Sequence, residues 1–355
     1  MNLPEKLRTM TAYEPVIGNY AVRLDANESF LPLPDWLQRD ILSAVEQTPL
    51  HRYPDPWATG VRQLAAERFG VDAALIVAGN GSDELIGLIM ASMAPRCGRV
   101  LLTDPDFSMY RFYAELFELT CHATGKIGRR PDVDAALREA ERRPPDLVIL
   151  SNPCNPTGLG APRAEILRLV GGVDCPVVVD EAYMDFWDQS IIDQIPKYEN
   201  LLILKTCSKA IGLAGLRLGF ALAGPEIIGA LQKTKSPYNV NVLTQAIGET
   251  VLSHPDYLRD CENAVKTATA ALFKELCSFA AQTDGRIAVL PTQTNFVLLQ
   301  TKDAQYIYES LRNRGVLIRK LSDDMLRVTA GSASEQKALF SALEEFYTLT
   351  EEGLP

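Results

Sequence analysis

Residues 146–158, DLVILSNPCNPTG, decide the fold prediction, because an uninterrupted apolar run ends there in a turn that contains two prolines and a glycine. A run of Val, Ile and Leu without alternation is typical of a strand buried on both faces, as in a parallel sheet. The prolines and the glycine restrict the turn to few conformations, so Asn152 and Asn155 would present their amides beyond the strand end. Ligands bind at such ends in open α/β sheets. A turn closed by local asparagine hydrogen bonds explains the same residues equally well.

Similar apolar runs alternate with helical patterns over residues 60–230, which predicts an α/β domain whose mostly parallel sheet is covered by helices on both faces. After residue 230, long helices and short strands indicate a smaller α+β domain. We divide the chain into an N-terminal segment that packs on the small domain (1–30), a large domain (31–250) and a small C-terminal domain (251–355). The predicted strands of the large domain lie at 74–78, 99–103, 146–151, 200–206 and 218–223, with another in VVVDEAY (177–183).

The composition argues against several classes of protein. The 355 residues carry a net charge of -10 with no basic block, which disfavours binding to nucleic acid or to an anionic membrane surface. We see no secretory signal and no apolar run long enough for a membrane helix. The seven cysteines have no metal-binding spacing, so we expect reduced thiols in a cytoplasmic protein and no metal site.

Residues 79–84, GNGSDE, follow the predicted strand 74–78 and open a helical pattern. The glycines allow a sharp turn, after which Ser82 and Asp83 lie at a helix N-terminus, where free N–H groups favour an anion such as phosphate. Taken alone, the segment fits a helix start capped by Ser82 or Asp83 better than it fits a ligand site. Glu84 stands where the Rossmann motif has its third glycine, which argues against a nicotinamide dehydrogenase.

Three charged residues follow the next buried strands. Burial would raise the pKa of the Asp180 carboxyl unless it met a cation or several donors, and a helix-capping role explains this aspartate equally well. Lys209 follows an apolar strand, and a destabilised ammonium there suits Schiff-base chemistry, although a single lysine is more often an exposed loop residue. Arg217 has the planar group that binds phosphate or carboxylate. Hydroxyl groups nearby would come from Tyr183, Thr206 and Ser208.

Because parallel strands end at one edge of a sheet, these groups would converge on a single crevice. The crevice would contain the Ser82 helix start, Asn155, Asp180, Lys209 and Arg217. A purely structural role can explain each of these residues singly, but it explains the presence of all of them at one edge much less well. The residues therefore predict an enzyme site for a small anionic molecule.

Three motifs carry a family resemblance: N-P-x-N-P-T-G (152–158), D-E-A-Y (180–183) and S-K-x-x-x-L-A-G-L-R-x-G (208–219). In order and spacing these motifs resemble the signatures of the fold-type I pyridoxal-phosphate aminotransferases. The resemblance covers nearly the whole chain. The resemblance implies an aspartate-aminotransferase-like fold and pyridoxal 5'-phosphate as the cofactor. Within that family the chain resembles the histidinol-phosphate aminotransferases, through AYEP (12–15), LDANES (24–29), RYPD (52–55), GNGSDE and the pair LIRK and LRVT.

The resemblance also implies roles for the cofactor site. Lys209 would bond covalently to the cofactor and later move the substrate proton. Asp180 would pair with the pyridine nitrogen, Asn155 and Tyr183 would bind the ring oxygen, and Tyr110 would stack on the ring face. The cofactor phosphate would be held by Ser82, Asp83, Thr206, Ser208, Arg217 and Tyr53 of a second subunit.

On the substrate side, the resemblance implies that Arg327 grips a carboxylate. Tyr13, Asn27, Arg319 and Tyr53 would lie around the substrate, with its phosphate near Arg319, Arg327 and Tyr53. The implied reaction is transamination between histidinol phosphate and 2-oxoglutarate, a step of histidine biosynthesis, in a homodimer.

Other readings remain open. A threonine-phosphate decarboxylase of cobalamin synthesis would share the cofactor motifs and would also bind an amino phosphate. An aromatic or broad-range aminotransferase would differ on the substrate side. A non-catalytic module of a transcription regulator would need a fused helix-turn-helix, for which we expect no room in the 30 residues before the motifs.

Overall fold

The structure, a computed structural model, describes residues 2–12 and 16–351, without the side chains of 349–351. The helices of these residues are α1 Lys6–Thr9, α2 Asp35–Glu46, α3 Thr59–Phe69, α4 Gly81–Met93, α5 Met109–Leu116, α6 Val133–Arg142, α7 Arg163–Gly171, α8 Pro225–Thr234, α9 Val242–Leu252, α10 Pro255–Ala280, α11 Ala304–Asn313 and α12 Ala333–Glu351. The strands are β1 Val22–Arg23, β2 Ile76–Asn80, β3 Arg99–Thr103, β4 Thr120–Thr124, β5 Lys126–Ile127, β6 Arg130–Pro131, β7 Leu147–Ser151, β8 Val177–Asp180, β9 Leu201–Thr206, β10 Leu218–Ala223, β11 Ala288–Leu290, β12 Phe296–Gln300, β13 Val316–Leu317, β14 Arg319–Lys320 and β15 Met325–Thr329.

A seven-stranded sheet in the order β2-β10-β9-β8-β7-β3-β4 forms the centre of the molecule. Every residue of β7, β8 and β9 is buried, because helices cover both faces of the sheet. This accounts for the continuous apolar runs in the sequence and confirms the predicted α/β architecture. β4 was not predicted, since its sequence TCHAT belongs to a half-exposed edge strand and has no apolar run.

Strand β10 runs antiparallel to both of its neighbours, β2 and β9. Its direction could not be read from its composition, because a strand buried on both faces looks the same in either orientation. The reversal has a consequence for function. The residue that precedes β10, Arg217, lies at the edge where β2 ends at Asn80 and β9 ends at Thr206.

The segment GNGSDE is placed slightly differently from the prediction. The strand begins at Ile76, because residues 73–75 form a 3-10 turn that the Asp72 carboxylate caps. Gly79 and Asn80 consequently belong to β2, and α4 begins at Gly81 with Asn80 as its N-cap residue. Ser82 and Asp83 therefore lie in the first helical turn, and the alternative in which one of them is the N-cap is wrong.

A second core lies against the four-stranded sheet β11-β12-β15-β14. It contains apolar side chains of α10, α11 and α12 together with Val22 and Leu24, because β1 pairs in parallel with β13. Leu258, near the start of α10, packs instead into the core on the seven-stranded sheet. The division at 250/251 remains a prediction.

Within the described residues, no helix combines the length and apolarity needed to cross a membrane, and no cluster of three His, Cys, Asp or Glu is placed to hold a metal ion.

Candidate active site

Lys209 lies in the loop that follows β9, half-buried at the edge of the sheet. Its Nζ donates a hydrogen bond to the carbonyl oxygen of Ala26 at 3.2 Å and lies 5.9 Å from the centre of the Tyr183 ring. Burial, followed by the positive charge of Arg327, lowers the pKa of Lys209 to about 8. A substantial fraction of the amine is therefore neutral near physiological pH, which makes it available as a nucleophile and as a base.

Asp180 ends β8 and is buried. Burial raises the pKa of its carboxyl to about 6, against the hydrogen bonds that stabilise the charged form. Those bonds come from the Tyr110 hydroxyl at 2.9 Å and from the Ala182 N–H at 3.0 Å. Within the described residues, no Lys, Arg or His forms an ion pair with Asp180, so its carboxylate is suited to a positively charged group in the crevice.

Tyr110 is fully buried on α5. Besides the bond to Asp180, its ring makes an edge contact with Phe107, with 5.6 Å between the ring centres. The structure thus gives Tyr110 a hydrogen-bonding partner that the sequence did not reveal, and its stacking role remains a prediction.

Asn155 and Arg327 meet across the two sheets. Arg327 on β15 donates to Asn155 Oδ1 at 2.7 Å and to the Asp25 carbonyl oxygen at 2.6 Å, and its guanidinium lies over Phe296. Arg319 on β14 is the register partner of Arg327. Two cations opposite each other in neighbouring strands repel, and an anion between them would offset that cost.

Tyr183 and Asn27 lie beside this pair. The Asn27 amide donates to the Tyr183 hydroxyl at 2.8 Å, while Thr329 and Asn295 hold the amide carbonyl and the main chain of Asn27. Burial raises the pKa of the Tyr183 phenol to about 12, with Arg327 acting in the opposite direction. Tyr183 is therefore a neutral hydroxyl at physiological pH.

The helix start at Gly81 packs closely against the start of β10. A Cβ atom on Gly81 would lie 2.6 Å from Arg217 Nη2, and one on Gly219 would lie 2.4 Å from the Ser82 nitrogen. Gly81 also has a φ of +77°. Glycine is required at Gly219 by the main-chain contact and favoured at Gly81 by the positive φ. The helix start therefore lies beside a guanidinium, an arrangement that suits a phosphate.

The hydroxyls of Thr206 and Ser208 lie 3.1 Å apart at the same edge. Arg217 is exposed, and it donates to the Ala214 carbonyl oxygen through Nη1. Burial raises the pKa of the Asp83 carboxyl. When ionised this carboxyl would repel an anion, so the main-chain N–H of Asp83, and not its side chain, suits a bound anion.

Two predicted residues are not brought into this group. Tyr53 is 81% exposed, and its ring stacks on Tyr238 with 4.5 Å between the centres. Tyr13 lies outside the described residues. The remaining predicted residues lie at the edge of the large sheet or on the adjoining β14, β15 and N-terminal segment: Asn27, Ser82, Asp83, Tyr110, Asn155, Asp180, Tyr183, Thr206, Ser208, Lys209, Arg217, Arg319 and Arg327.

Sequence reasoning missed Asp106 and Asn295. Asp106 follows β3, so the rule applied to the other strand ends would have singled it out. Asn295 precedes β12 in the second core, and its bond to the main chain of Asn27 depends on a long-range contact that no local pattern signals.

Comparison with known proteins gives the family. Residues 19–344 match the family model described as aminotransferase class I and II. The histidinol-phosphate aminotransferase of Clostridium kluyveri is 37% identical over 96% of this chain and 97% of its own length.

Solved structures agree on the fold, which is aspartate-aminotransferase-like as predicted. A histidinol-phosphate aminotransferase from Sinorhizobium meliloti, solved with pyridoxal-5'-phosphate, superposes with a TM-score of 0.87 at 24% identity, covering 97% of each chain. A mutant aspartate aminotransferase from Thermus thermophilus superposes with a TM-score of 0.81 at 20% identity, covering 97% of this chain and 98% of that one. The chain belongs to the class I and II aminotransferases.

Proposed function

We propose that this chain is a pyridoxal-phosphate-dependent aminotransferase that interconverts histidinol phosphate and imidazole acetol phosphate, with glutamate and 2-oxoglutarate as the second pair. One observation carries the proposal. The sheet edge that bears Lys209 and Asp180 lies next to two arginines in register, Arg319 and Arg327. The histidinol-phosphate aminotransferase of Clostridium kluyveri, 37% identical over nearly the whole chain, supports histidinol phosphate as the proposed substrate.

The residues fit the cofactor. Asp180 is a buried carboxylate without a cationic partner among the described residues, which suits a protonated ring nitrogen. The approach of Gly81 and Gly219 to Arg217 and Ser82 leaves main-chain donors and a guanidinium for a phosphate group. Lys209 has the lowered pKa that covalent attachment to a carbonyl requires.

When bound, pyridoxal phosphate supplies an electron sink that stabilises negative charge at the substrate Cα. The protein residues would do the rest. Lys209 would take the proton from that carbon and deliver it to the cofactor side, since its amine can be neutral or charged near neutral pH. Asp180, ionised above about pH 6, would keep the ring nitrogen protonated, and Asn155 and Tyr183 would orient the ring oxygen.

On the substrate side, Arg327 and Arg319 offer two neighbouring positive charges for anionic groups. Both proposed amino substrates are anionic: glutamate carries a side-chain carboxylate and histidinol phosphate carries a phosphate. One cationic pocket could therefore serve both half-reactions in turn, as a ping-pong mechanism requires. Asn27 would border this pocket, and Tyr13 and Tyr53 would complete it.

The decisive experiment is a panel of half-reactions. The enzyme loaded with pyridoxal phosphate is mixed separately with histidinol phosphate, glutamate, phenylalanine or threonine phosphate, and loss of the visible absorption band is followed. Fast loss with histidinol phosphate and with glutamate is expected. Faster reaction with phenylalanine would favour an aromatic aminotransferase, and release of CO2 from threonine phosphate would favour the decarboxylase.

Two variants accompany the panel. Lys209→Ala removes the amine that would bond to the cofactor, so the visible band and turnover should both disappear. Lys233→Ala removes an exposed lysine on α8 and should behave like the unchanged protein. A Lys209→Ala protein that still turned over at the normal rate would reject the proposed role of this residue.

We also propose a cytoplasmic homodimer in which Tyr53 of one subunit completes the site of the other. Tyr53, Leu50 and Leu42 are strongly exposed, Trp57 also has a large exposed area, and the partly exposed Tyr238 stacks on Tyr53. Exposed large aromatic and aliphatic side chains are typical of an interface. All seven cysteines are unpaired, as a reducing compartment would keep them. Sedimentation equilibrium tests the oligomeric state.

A further inference from the structure

A buried ion pair lies behind the site. Lys126, at the start of β5, places its Nζ 3.2 Å from Oδ2 of Asp106, which follows β3. The two side chains are only 5% and 2% exposed. Removing two charges from water is costly, and such a pair persists only where further hydrogen bonds satisfy both groups.

Both oxygens of the Asp106 carboxylate accept hydrogen bonds. Its Oδ2 accepts from the Thr103 hydroxyl at 3.1 Å and the Ser151 N–H at 3.3 Å in addition to Lys126. Its Oδ1 accepts from the Phe107 N–H at 2.9 Å and from the Ser151 hydroxyl. One side chain therefore ties the ends of β3 and β7 to the β5 segment.

Ser151 carries this constraint into the active site. It is the register partner of Asp180 in the neighbouring strand, and its Oγ accepts the N–H of Asn155 at 3.3 Å. Asn155 in turn accepts from Arg327 at 2.7 Å. A continuous series of contacts thus runs from Lys126 through Asp106, Ser151 and Asn155 to Arg327.

We propose that Asp106, oriented by Lys126, is a positioning residue that fixes the turn from Ser151 to Asn155 and so aims the Asn155 amide at the reacting groups. The proposal rests on the proposed function, because the Asn155 amide is taken there to orient the cofactor ring. Asp106 does not itself meet the reacting atoms. It acts through the two bonds that its carboxylate accepts from Ser151.

The neighbouring segment offers a matched control. Asp104 and Arg111 form an ion pair only two and five residues from Asp106 in sequence, but their side chains are 33% and 51% exposed. A surface pair of this kind contributes little to stability and makes no contact with Ser151 among the described hydrogen bonds.

The test compares two double variants, Asp106→Asn with Lys126→Met and Asp106→Ala with Lys126→Met. Neither leaves a buried charge unpaired, so both avoid the main reason for misfolding. Asparagine keeps one oxygen, so it can accept one of the two bonds from Ser151, whereas alanine can accept neither. The exposed-pair control is Asp104→Asn with Arg111→Met.

Three readouts are taken from folded protein: amide hydrogen exchange of residues 151–158 without cofactor, visible circular dichroism at equal bound cofactor, and kcat against KM. For the alanine double variant we expect faster exchange in this segment, a severalfold weaker dichroic band and kcat lower by about 10- to 100-fold, the size of effect that misplacement produces. The asparagine double variant, which keeps one of the two bonds, should show smaller changes than the alanine double variant in all three readouts, and the exposed-pair control should match the unchanged protein.

Equal behaviour of the two double variants in exchange, dichroism and kcat would overturn the proposal. So would faster exchange in the alanine variant with unchanged dichroism and kcat, because the pair would then only stabilise the fold. Failure of the unchanged protein to transaminate histidinol phosphate would instead count against the proposed substrate, and it would leave the exchange and dichroism comparisons intact.

Discussion

The Tyr110 hydroxyl donates a hydrogen bond to the Asp180 carboxylate at 2.9 Å, and both side chains are buried. The bond joins α5 to the end of β8 in the centre of the site. It stabilises the charged form of a carboxyl whose pKa burial raises to about 6. The tyrosine therefore helps to keep Asp180 ionised at physiological pH.

Removing that hydroxyl should change the pH profile of the enzyme. In Tyr110→Phe, the Asp180 carboxylate loses a donor, its pKa rises further, and the loss of activity on the acid side should begin at higher pH. The pH dependence of kcat/KM measures this shift. Tyr308→Phe, on α11 beside the second core, serves as the control. An unchanged acid limb in Tyr110→Phe would contradict the role given to the hydroxyl.

Asp180→Asn should separate stability from activity. Folding raises the pKa of this carboxyl from 3.8 to about 6, so the folded state binds more protons than the unfolded state between those values. The unfavourable contribution of Asp180 is therefore absent at low pH and fully present above about pH 6. At about 1.4 kcal/mol per pKa unit, the cofactor-free variant should gain up to about 3 kcal/mol at pH 7.

Urea unfolding of the cofactor-free protein at pH 7 and near pH 4 checks this gain. The gain should shrink near pH 4, because that pH lies close to the unfolded-state pKa of 3.8 and the folded-state carboxyl is already protonated. Turnover of the loaded variant should fall by two orders of magnitude or more, about the size of effect expected when a buried charge partner is lost. A variant that is less stable than the unchanged protein at pH 7 would show that the hydrogen bonds outweigh the cost of burial.

Gly219→Ala should weaken cofactor binding. The added Cβ would lie 2.4 Å from the main-chain nitrogen of Ser82, so the helix start must move away from β10 and lose its alignment with Arg217. We expect the dissociation constant of pyridoxal phosphate to rise by about tenfold or more, corresponding to the loss of one charge-assisted hydrogen bond. Gly229→Ala, where a Cβ meets open space within α8, should leave binding unchanged.

A titration of bound cofactor by visible absorbance measures both constants. Helical Gly229→Ala should also stabilise the protein by roughly 0.5–1 kcal/mol. Equal affinity in the two variants would mean that the close approach of Gly219 to α4 is not needed for the phosphate.

Mixed dimers test whether Tyr53 acts on the site of its partner. Tyr53→Ala and Lys209→Ala should each have little activity alone. Unfolding and refolding the two together should restore about a quarter of normal activity, because about half of the dimers are mixed and each of these has one intact site. Steady-state rates after mixing provide the measurement, and no recovery would indicate that Tyr53 serves its own subunit or none.

The buried strands and the residues that follow them could be predicted from the sequence alone. The runs LVIL (147–150) and LLIL (201–204) are apolar throughout because helices cover both faces of the sheet, so the polar residues at their ends stand out. Lys209, Asp180 and Asn155 were found in this way. Asp106 obeys the same rule but was overlooked, since no family motif contains it.

Chain direction and long-range contacts could not be predicted from these patterns. β10 is antiparallel, and only its pairing with β2 and β9 brings Arg217 to the shared edge. The bonds of Tyr110 to Asp180 and of Arg327 to Asn155 join residues that are 70 and 172 positions apart.

The sequence by itself determined the strands, the turns and the chemical character of each strand end, because local patterns of apolar, glycine and proline residues encode them. The tertiary structure decided which of those ends face one another, how far Lys209 and Asp180 are shielded from water, and that Asp106 meets Ser151. Burial and hydrogen bonding set the pKa values of such groups, and both depend on neighbours that are distant in the chain.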